Sequence, residues 1–316
     1  MAQRPRRRAL YVYPALMRAW LQAARLPSAV NLQLPLLFGQ TLAYATHGAV
    51  SAQLCLLLAL YGLAMQLFIV FLNDWADRQA DALNETPTLF SGGSRVLVEQ
   101  RIEPAKLLRA GLFSGVAVLA LGLLLAAAHD RPLAPFLFVC GLFLLWSYSL
   151  PPLRLNYRGG GELLQALGVG CILPVAGFYV QVGRLPALHP GENPLSIIAL
   201  IAAYIYLQTT AAIAFTLPDA EADQRAGKRT LAALWGVPKA AAIAIALGLL
   251  THLFLYTSDV PRAVLYVPAL PLAGALFLLP ASHQSARATL WLTGLLIAPA
   301  VSFALAALYA LIYIPL

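Results

Sequence analysis

Charged residues are scarce in this sequence. Only 11% of its 316 residues are charged, whereas 60% are hydrophobic and the mean hydropathy is +0.75. This apolar share is well above that of soluble domains, so an ordinary soluble protein is excluded. The apolar runs do not alternate with a period of two, which argues against a membrane β-barrel. The composition therefore predicts an all-α protein that crosses a membrane several times.

Cysteine and histidine are also rare. The three cysteines, Cys55, Cys140 and Cys171, lie inside apolar runs without CxxC spacing, and the five histidines show no ligand spacing. We therefore predict no disulfide and no metal site built from thiolate or imidazole ligands.

Nine apolar runs approach the roughly 20 residues that a helix needs to cross a bilayer. They lie at approximately 28–47, 52–72, 106–128, 132–150, 162–183, 195–217, 238–256, 262–280 and 286–314. We predict a single domain, residues 28–316, that forms one bundle of nine transmembrane helices. Residues 1–27 contain Arg18 and Arg25 and no signal-peptide cleavage site, so we predict an amphipathic segment on the cytoplasmic membrane surface.

The placement of the 21 lysines and arginines predicts the orientation. With a cytoplasmic amino terminus, 18 of them fall on the cytoplasmic side, and only Arg131, Arg184 and Arg262 fall on the other. This asymmetry follows the positive-inside rule, so the net charge of +8 reflects topology and predicts no nucleic-acid partner. We expect a multi-pass protein of the cell's inner (plasma) membrane.

Acidic residues are the scarcest charged class, and their positions are informative. Seven of the 13 fall in two clusters after the second and sixth predicted spans, on the cytoplasmic side. The clusters are Asp74, Asp77, Asp81 and Glu85, and Asp219, Glu221 and Asp223. Solvated acids at helix ends are the ordinary explanation for one such cluster. Two matched clusters on one side of the membrane favour a shared site.

The spacing of the aspartates supports that interpretation. Asp74, Asp77 and Asp81 are related as i, i+3 and i+7, which places them on one helix face; Asp219 and Asp223, at i and i+4, also share a face. Acids this close repel one another unless a cation lies between them. Oxygen ligands without His or Cys suit Mg²⁺, which shares carboxylates with substrate phosphates. We predict a magnesium site that binds a diphosphate and makes it a good leaving group.

These motifs resemble the UbiA superfamily of intramembrane prenyltransferases. The pattern N73-D74-x-x-D77-x-x-x-D81 resembles the family's first Asp-rich motif, and DAEAD followed by QRAGKRTL, from position 219, resembles its second. SYSLPPLRLNYRGGGELLQ, 147–165, is similar to the family's connection after the fourth span.

The resemblance implies a set of residue roles. Asp74, Asp77, Asp81, Asp219 and Asp223 would bind Mg²⁺ with an isoprenyl diphosphate and act catalytically, and Asn73 would contact the metal or the diphosphate. An allylic cation would then be attacked by an aromatic acceptor, protected from water by the apolar bundle. Membrane lipid would surround the isoprenoid tail.

The motifs indicate less clearly which branch of the superfamily the sequence resembles. YRGGGEL and GFYVQ, 177–181, resemble the dihydroxynaphthoate prenyltransferases of menaquinone synthesis. NDWADRQADALNE is similar to chlorophyll synthases, but TPTLFSGGSRVL replaces their continuation rich in arginine and proline. We therefore expect a quinone precursor such as dihydroxynaphthoate as the acceptor, with chlorophyllide, homogentisate and haem types as alternatives.

Five further residues are candidates for substrate binding. In SGGSR, 91–95, backbone N–H groups and Arg95 could hold phosphate oxygens, and Lys228 and Arg229 follow the second acidic motif. Tyr148 and Arg154 flank the break at Pro151 and Pro152. The alternatives are topology charges for the basic residues and interfacial anchors for Tyr148 and Arg154.

Amides within the apolar runs form a further group. We expect these side chains to face the bundle interior, as interhelical hydrogen-bond partners or as lining of the acceptor pocket. They are Asn31, Gln33, Gln66, Gln165 and Gln208. The main alternative function is a secondary transporter, but transporter acids commonly lie near the membrane midplane, whereas these acids lie at the edge.

Overall fold

The structure is a computed structural model. It describes residues 16–85, 87–88, 92–186, 194–256, 261–282 and 285–313. Within these ranges the chain is helical and no β-sheet forms. Most of the predicted amphipathic segment, residues 1–15, lies outside the described residues, as does Ser91 of the Gly-rich turn.

The helices are numbered here in chain order. They are α1 (16–24), α2 (Val30–His47), α3 (Ala52–Leu83), α4 (Pro104–His129), α5 (Ala134–Ser149), α6 (Leu155–Arg158), α7 (Gly161–Val182), α8 (Pro194–Thr216), α9 (Ala220–Arg225), α10 (Leu231–Trp235), α11 (Val237–Tyr256), α12 (Arg262–Ala281) and α13 (Ala286–Tyr313). Helix α7 includes one π-helical turn, Gly168–Ile172, and α12 is interrupted near Val267.

Each of the nine predicted runs forms helix, but the helices differ in their capacity to cross a membrane. In the described ranges, six are long and apolar enough: α3, α4, α7, α12, α13 and Ile197–Thr216 of α8. Helix α5 and the segment Val237–Leu253 of α11 are apolar but shorter. Amides such as Gln33 and Gln40 reduce the hydropathy of α2. The all-α class is confirmed, and nine crossings with a cytoplasmic amino terminus stay a prediction.

Helix α3 continues well beyond its apolar part. Its start is capped by Ser51, whose hydroxyl accepts a hydrogen bond from the Leu54 amide at 3.5 Å. The predicted span ends near residue 72, whereas the helix runs on to Leu83 and carries the first acidic motif. The three aspartates are therefore held at fixed spacing on a rigid helix.

Glycines allow α2 and α7 to pack with their backbones in contact. A Cβ atom added to Gly39 would lie 2.7 Å from the carbonyl carbon of Pro174. One added to Gly177 would lie 3.2 Å from the carbonyl carbon of Leu36. Small residues at such crossings are typical of membrane helix pairs. Close packing here fixes the position of α2 against α7.

A second fixed point joins the loop after α4 to the carboxyl end of α7. The Arg131 guanidinium donates to the carbonyl oxygens of Val180 at 2.6 Å and Gln181 at 3.1 Å. A cation at a helix carboxyl terminus is favourable because the last carbonyls have no partners within the helix. Arg131 therefore stabilises the bundle rather than a ligand site.

Candidate active site

Asp77 and Asp223 belong to different acidic motifs and share one cation. The Lys228 Nζ lies 3.0 Å from Oδ2 of Asp77 on α3 and 3.3 Å from Oδ1 of Asp223 on α9. Both carboxylates are buried, with 3% of Asp77 and 6% of Asp223 exposed. The two motifs, about 150 positions apart in the sequence, therefore meet in space.

A direct hydrogen bond also joins the two motifs. The Asn84 amide, directly after α3, donates from Nδ2 to Oδ1 of Asp219 at 2.6 Å. Asp219 occupies the position before α9, and its carbonyl accepts the Asp223 amide at 2.8 Å. This contact fixes the end of α3 against the start of α9.

Asp74 is covered from two other parts of the chain. It is 3% exposed and forms an ion pair with Arg25, which lies between α1 and α2. The Ser94 hydroxyl also donates to it, and the Ser94 amide lies 3.4 Å from Oδ1. The Gln22 amide donates to the Ser94 carbonyl at 2.7 Å, so the amino-terminal segment and the Gly-rich segment cover this carboxylate together.

Asp81 is the last aspartate of the first acidic motif, and its carboxylate lies beside Gly93. A Cβ on Gly93 would lie 2.8 Å from Cγ of Asp81, and Gly93 has φ of +70°. Only glycine fits this position comfortably. The Arg95 guanidinium donates to the carbonyl oxygens of Asp81 at 2.6 Å and Asn84 at 3.2 Å. Arg95 thus ties the Gly-rich segment to the end of α3, and its contact with a diphosphate stays a prediction.

The electrostatics of the second motif centre on Lys228. Burial disfavours the ammonium, but the carboxylates of Asp77 and Asp223 outweigh it and hold the pKa of Lys228 well above its usual value. Burial raises the pKa of Asp223, and the adjacent Lys228 opposes that shift. The Thr230 hydroxyl, 3.4 Å from Asp223, also favours its ionised form. Glu221 of the same motif is exposed.

Residues near the end of α5 and in α6 surround the first acidic motif from another side. The Tyr157 hydroxyl donates to Asp77 at 3.3 Å, and the Arg154 guanidinium lies 3.9 Å from the centre of the Tyr157 ring. The Tyr148 ring packs against Gly161 at the start of α7, where an added Cβ would lie 3.0 Å from its Cε2. The Ser149 hydroxyl donates to Oδ1 of Asn73 at 3.0 Å. Asn73, Tyr148 and Arg154 are thus all placed around the first acidic motif.

The loop between α9 and α10 is anchored against the α6 region. The Arg229 amide donates to the Asn156 carbonyl at 3.1 Å, while the Arg229 side chain is exposed. Glu162, which is 7% exposed, accepts the Leu231 amide at 2.7 Å. These two contacts fix the chain directly after Lys228.

Sequence reasoning missed several residues of this site. Asn84 and Thr230 stand inside the motifs that were recognised, so the motifs themselves could have indicated them. Tyr157 is not among the missed residues, because it flanks the predicted break together with Tyr148 and Arg154. Arg25 gave no local signal, because it lies 49 positions from its partner Asp74 and matches the pattern of a topology charge.

The donor set has the chemistry expected of a magnesium site. In the part of the chain that the structure describes, no three Asp, Glu, His or Cys side chains converge tightly enough to hold a metal ion by themselves. Mg²⁺ commonly uses only one or two carboxylates and completes its shell with waters and substrate phosphates. Asp77 and Asp223, each within 3.3 Å of the same ammonium, form such a pair, so the residues fit a shared metal and diphosphate site.

The fold and the site define a helical membrane protein with a buried, acid-rich polar centre built from two distant motifs. The chain belongs to the UbiA prenyltransferase family, whose family model matches residues 32–288. It is therefore an integral membrane protein of that family.

Similar proteins agree with this assignment. The chain is 29% identical to a chloroplastic chlorophyll synthase from Oryza sativa subsp. japonica over 214 residues, 65% of this chain and 52% of that protein. The chain thus spans about half the length of this curated relative.

Two solved structures share the fold. One is a UbiA homolog from Archaeoglobus fulgidus bound to GPP and Mg²⁺, with a TM-score of 0.64, 18% identity and coverage of 92% of this chain and 99% of the other. The second concerns digeranylgeranylglyceryl phosphate synthase, with a TM-score of 0.63, 15% identity and coverage of 94% and 99%. At these identities the likeness establishes the fold alone.

Proposed function

We propose that this protein transfers an isoprenyl group from an isoprenyl diphosphate to an aromatic acceptor in a Mg²⁺-dependent reaction. The observation that carries the proposal is the shared position of Lys228 between Asp77 and Asp223. It places carboxylates and a fixed cation from two acidic motifs around one point. A diphosphate with its metal ions needs both kinds of group.

Each group has a distinct part in this proposal. Asp74, Asp77, Asp81, Asp219 and Asp223 would hold Mg²⁺, which would supply charge neutralisation for the departing diphosphate. Lys228 would add a positive charge beside the diphosphate, and in this proposal Asn73, Arg95 and Arg229 would contact the diphosphate or its metal. Burial of the site limits access of water to the allylic cation.

The location of the reaction is part of the proposal. Residues 28–316 act as one catalytic unit, with the acidic motifs at the cytoplasmic side of the inner membrane. The positive-inside asymmetry supports that orientation. The similarity in fold to a UbiA homolog bound to GPP and Mg²⁺ supports the class of donor.

For the acceptor, we propose a small aromatic quinone precursor such as dihydroxynaphthoate. The segments YRGGGEL and GFYVQ support it. The second candidate is a chlorophyllide-type acceptor, which the similarity to a chlorophyll synthase favours. A chlorophyllide has a much larger ring system than dihydroxynaphthoate. Competition between these two acceptors in a transfer assay therefore shows which of them the protein uses.

Heat denaturation of the purified protein tests the donor class. Geranyl diphosphate with Mg²⁺ should raise the unfolding temperature, and EDTA should remove the effect, because the diphosphate binds through the metal. Product mass spectrometry with several allylic diphosphates and phenolic acids then tests transfer. Absence of any Mg²⁺-dependent protection by allylic diphosphates contradicts the proposal.

A further inference from the structure

Both oxygens of the Asp74 carboxylate accept hydrogen bonds from other parts of the chain. The Arg25 guanidinium and the Ser94 amide, the latter at 3.4 Å, donate to Oδ1, and the Ser94 hydroxyl donates to Oδ2. Only 3% of Asp74 is exposed. A metal ion at this carboxylate needs one of the same oxygens, and it repels the guanidinium because both are cations. Mg²⁺ and Arg25 therefore compete for Asp74.

The position of α1 brings Arg25 to this carboxylate. Helix α1 packs on α3 one turn before Asp74, where the rings of Trp20 and Phe71 meet edge to face with centres 5.8 Å apart. Arg25 follows α1 directly and has a φ of +44°. A left-handed backbone is uncommon for a residue with a side chain. The guanidinium thus reaches Asp74 only while α1 stays on α3.

Further hydrogen bonds join α1 to the Gly-rich segment. The side chain of Gln22 on α1 donates to the Ser94 carbonyl at 2.7 Å, and its own oxygen accepts a hydrogen bond from the Arg101 guanidinium. Helix α1 and residues 92–101 therefore form one cover over the first acidic motif. Movement of either part exposes the carboxylate below.

The contact of Arg25 with Asp74 is incomplete. The Nε atom of Arg25 is buried and has no hydrogen-bond partner among the residues that the structure describes. A buried donor without a partner reduces the net gain from the ion pair. The Arg25 side chain is 29% exposed, whereas that of Lys228 is 13% exposed and pairs with two carboxylates. Arg25 is therefore the more easily displaced of the two cations.

We propose that the cover is an autoinhibitory latch. In the metal-free protein Arg25 takes the place of Mg²⁺ at Asp74, and binding of the metal with the diphosphate displaces Arg25 and releases α1 from the Gly-rich segment. The inference rests on the proposed function, because it takes Asp74 as a ligand of the metal. The latch neutralises a buried carboxylate while no metal is bound. It also raises the Mg²⁺ concentration needed for binding, since only the open form accepts the metal.

Protection against heat by saturating geranyl diphosphate, measured over a range of Mg²⁺ concentrations, tests the latch. In Arg25→Gln the competing guanidinium is absent, so the Mg²⁺ concentration for half-maximal protection should fall about tenfold. Gln22→Met loosens the cover without a change in charge. The same concentration should fall about threefold in this variant, because one neutral hydrogen bond of the closed form is lost.

Two matched controls exclude general effects of charge and of substitution in α1. Arg78 lies one turn after Asp74 on α3 and donates to the Trp75 carbonyl at 2.6 Å. Arg78→Gln thus removes a positive charge near the motif and leaves the pair of Arg25 with Asp74 intact. Arg18→Gln removes an exposed charge from α1 itself. Both controls should keep the Mg²⁺ dependence of the wild type.

Hydrogen exchange gives a second readout that does not depend on affinity. The backbone amides of residues 16–24 should exchange about tenfold faster in the wild type when Mg²⁺ and geranyl diphosphate are both bound, because α1 is released. In Arg25→Gln the same amides should exchange at the faster rate even without Mg²⁺.

The outcomes distinguish the latch from the proposed function. A Mg²⁺ requirement that is unchanged or higher in either folded variant, Arg25→Gln or Gln22→Met, overturns the latch. So does exchange of α1 that is unchanged or slower when metal and diphosphate bind. Absence of Mg²⁺-dependent protection in the wild type and in every variant instead overturns the proposed function, and with it the metal at Asp74 on which the latch depends.

Discussion

The Nζ of Lys228 lies 3.0 Å from the carboxylate of Asp77, although 151 positions separate the two residues. The contact joins the loop after α9 to the first acidic motif, which α3 carries. Since Lys228 also pairs with Asp223, one side chain links both motifs. A fixed positive charge there lowers the repulsion between the carboxylates, and in the proposed reaction it would lie beside the anionic leaving group.

Replacement of this lysine tests its role. Lys228→Met should lower turnover roughly 100-fold, because a fixed charge beside the departing diphosphate is lost. It should also lower the unfolding temperature in the absence of Mg²⁺, since two buried carboxylates lose their cation. Steady-state kinetics and heat denaturation measure the two effects. Lys239→Met, at an exposed lysine, is the matched control; equal behaviour of the two variants contradicts the role.

Gly93→Ala tests the contact between the Gly-rich segment and Asp81. The new Cβ would lie 2.8 Å from Cγ of Asp81 and would have to displace that carboxylate. We expect turnover to fall about tenfold or more. Gly48→Ala has a similar φ of +72° with open space around it, so it should show only a backbone cost of about 1 kcal/mol. Full activity of the Gly93 variant in detergent would count against the displacement.

Gly177→Ala tests the backbone contact between α2 and α7. A Cβ there meets the Leu36 carbonyl, so the helices must separate, at a cost of about 1–3 kcal/mol. Gly294→Ala, on α13 with nothing within 4 Å, should be neutral or slightly stabilising because alanine favours helix. Unfolding temperatures of the two variants measured side by side should differ clearly. A Gly177 variant as stable as the Gly294 variant refutes the close packing.

Asn84→Leu tests the hydrogen bond that joins the motifs. Loss of the 2.6 Å contact should let Asp219 move away from α3 and weaken binding of geranyl diphosphate with Mg²⁺ roughly tenfold. Titration calorimetry measures the affinity for geranyl diphosphate. Asn84→Gln should restore part of this affinity because it keeps a donor amide. Unaltered affinity in both variants shows that the contact has no positioning role.

Much of the fold follows from local sequence signals. The apolar runs correspond to helices because burial of a continuous apolar segment in lipid requires internal backbone hydrogen bonds. The length of α3 was less visible, since its last turns are polar and only the spacing of Asp74, Asp77 and Asp81 indicates helix. The π-helical turn Gly168–Ile172 has no simple sequence signal.

The site was predicted in part. Two acidic motifs could be found because acids are rare here, and the family resemblance suggested that they meet. The ion pair of Arg25 with Asp74 depends on how the amino-terminal segment crosses the bundle, and the contact of Arg95 with backbone carbonyls depends on the path of its loop. Both are properties of the tertiary packing, so local pattern could not predict them.

The central claim is that both acidic motifs bind one magnesium diphosphate. Titration of geranyl diphosphate in the presence of Mg²⁺ into Asp74→Asn, Asp219→Asn and the exposed control Glu221→Gln tests it most directly. The account predicts roughly 100-fold weaker binding in each aspartate variant and wild-type affinity in the control. Wild-type affinity in either aspartate variant, with the protein folded, would show that its motif lies outside the site.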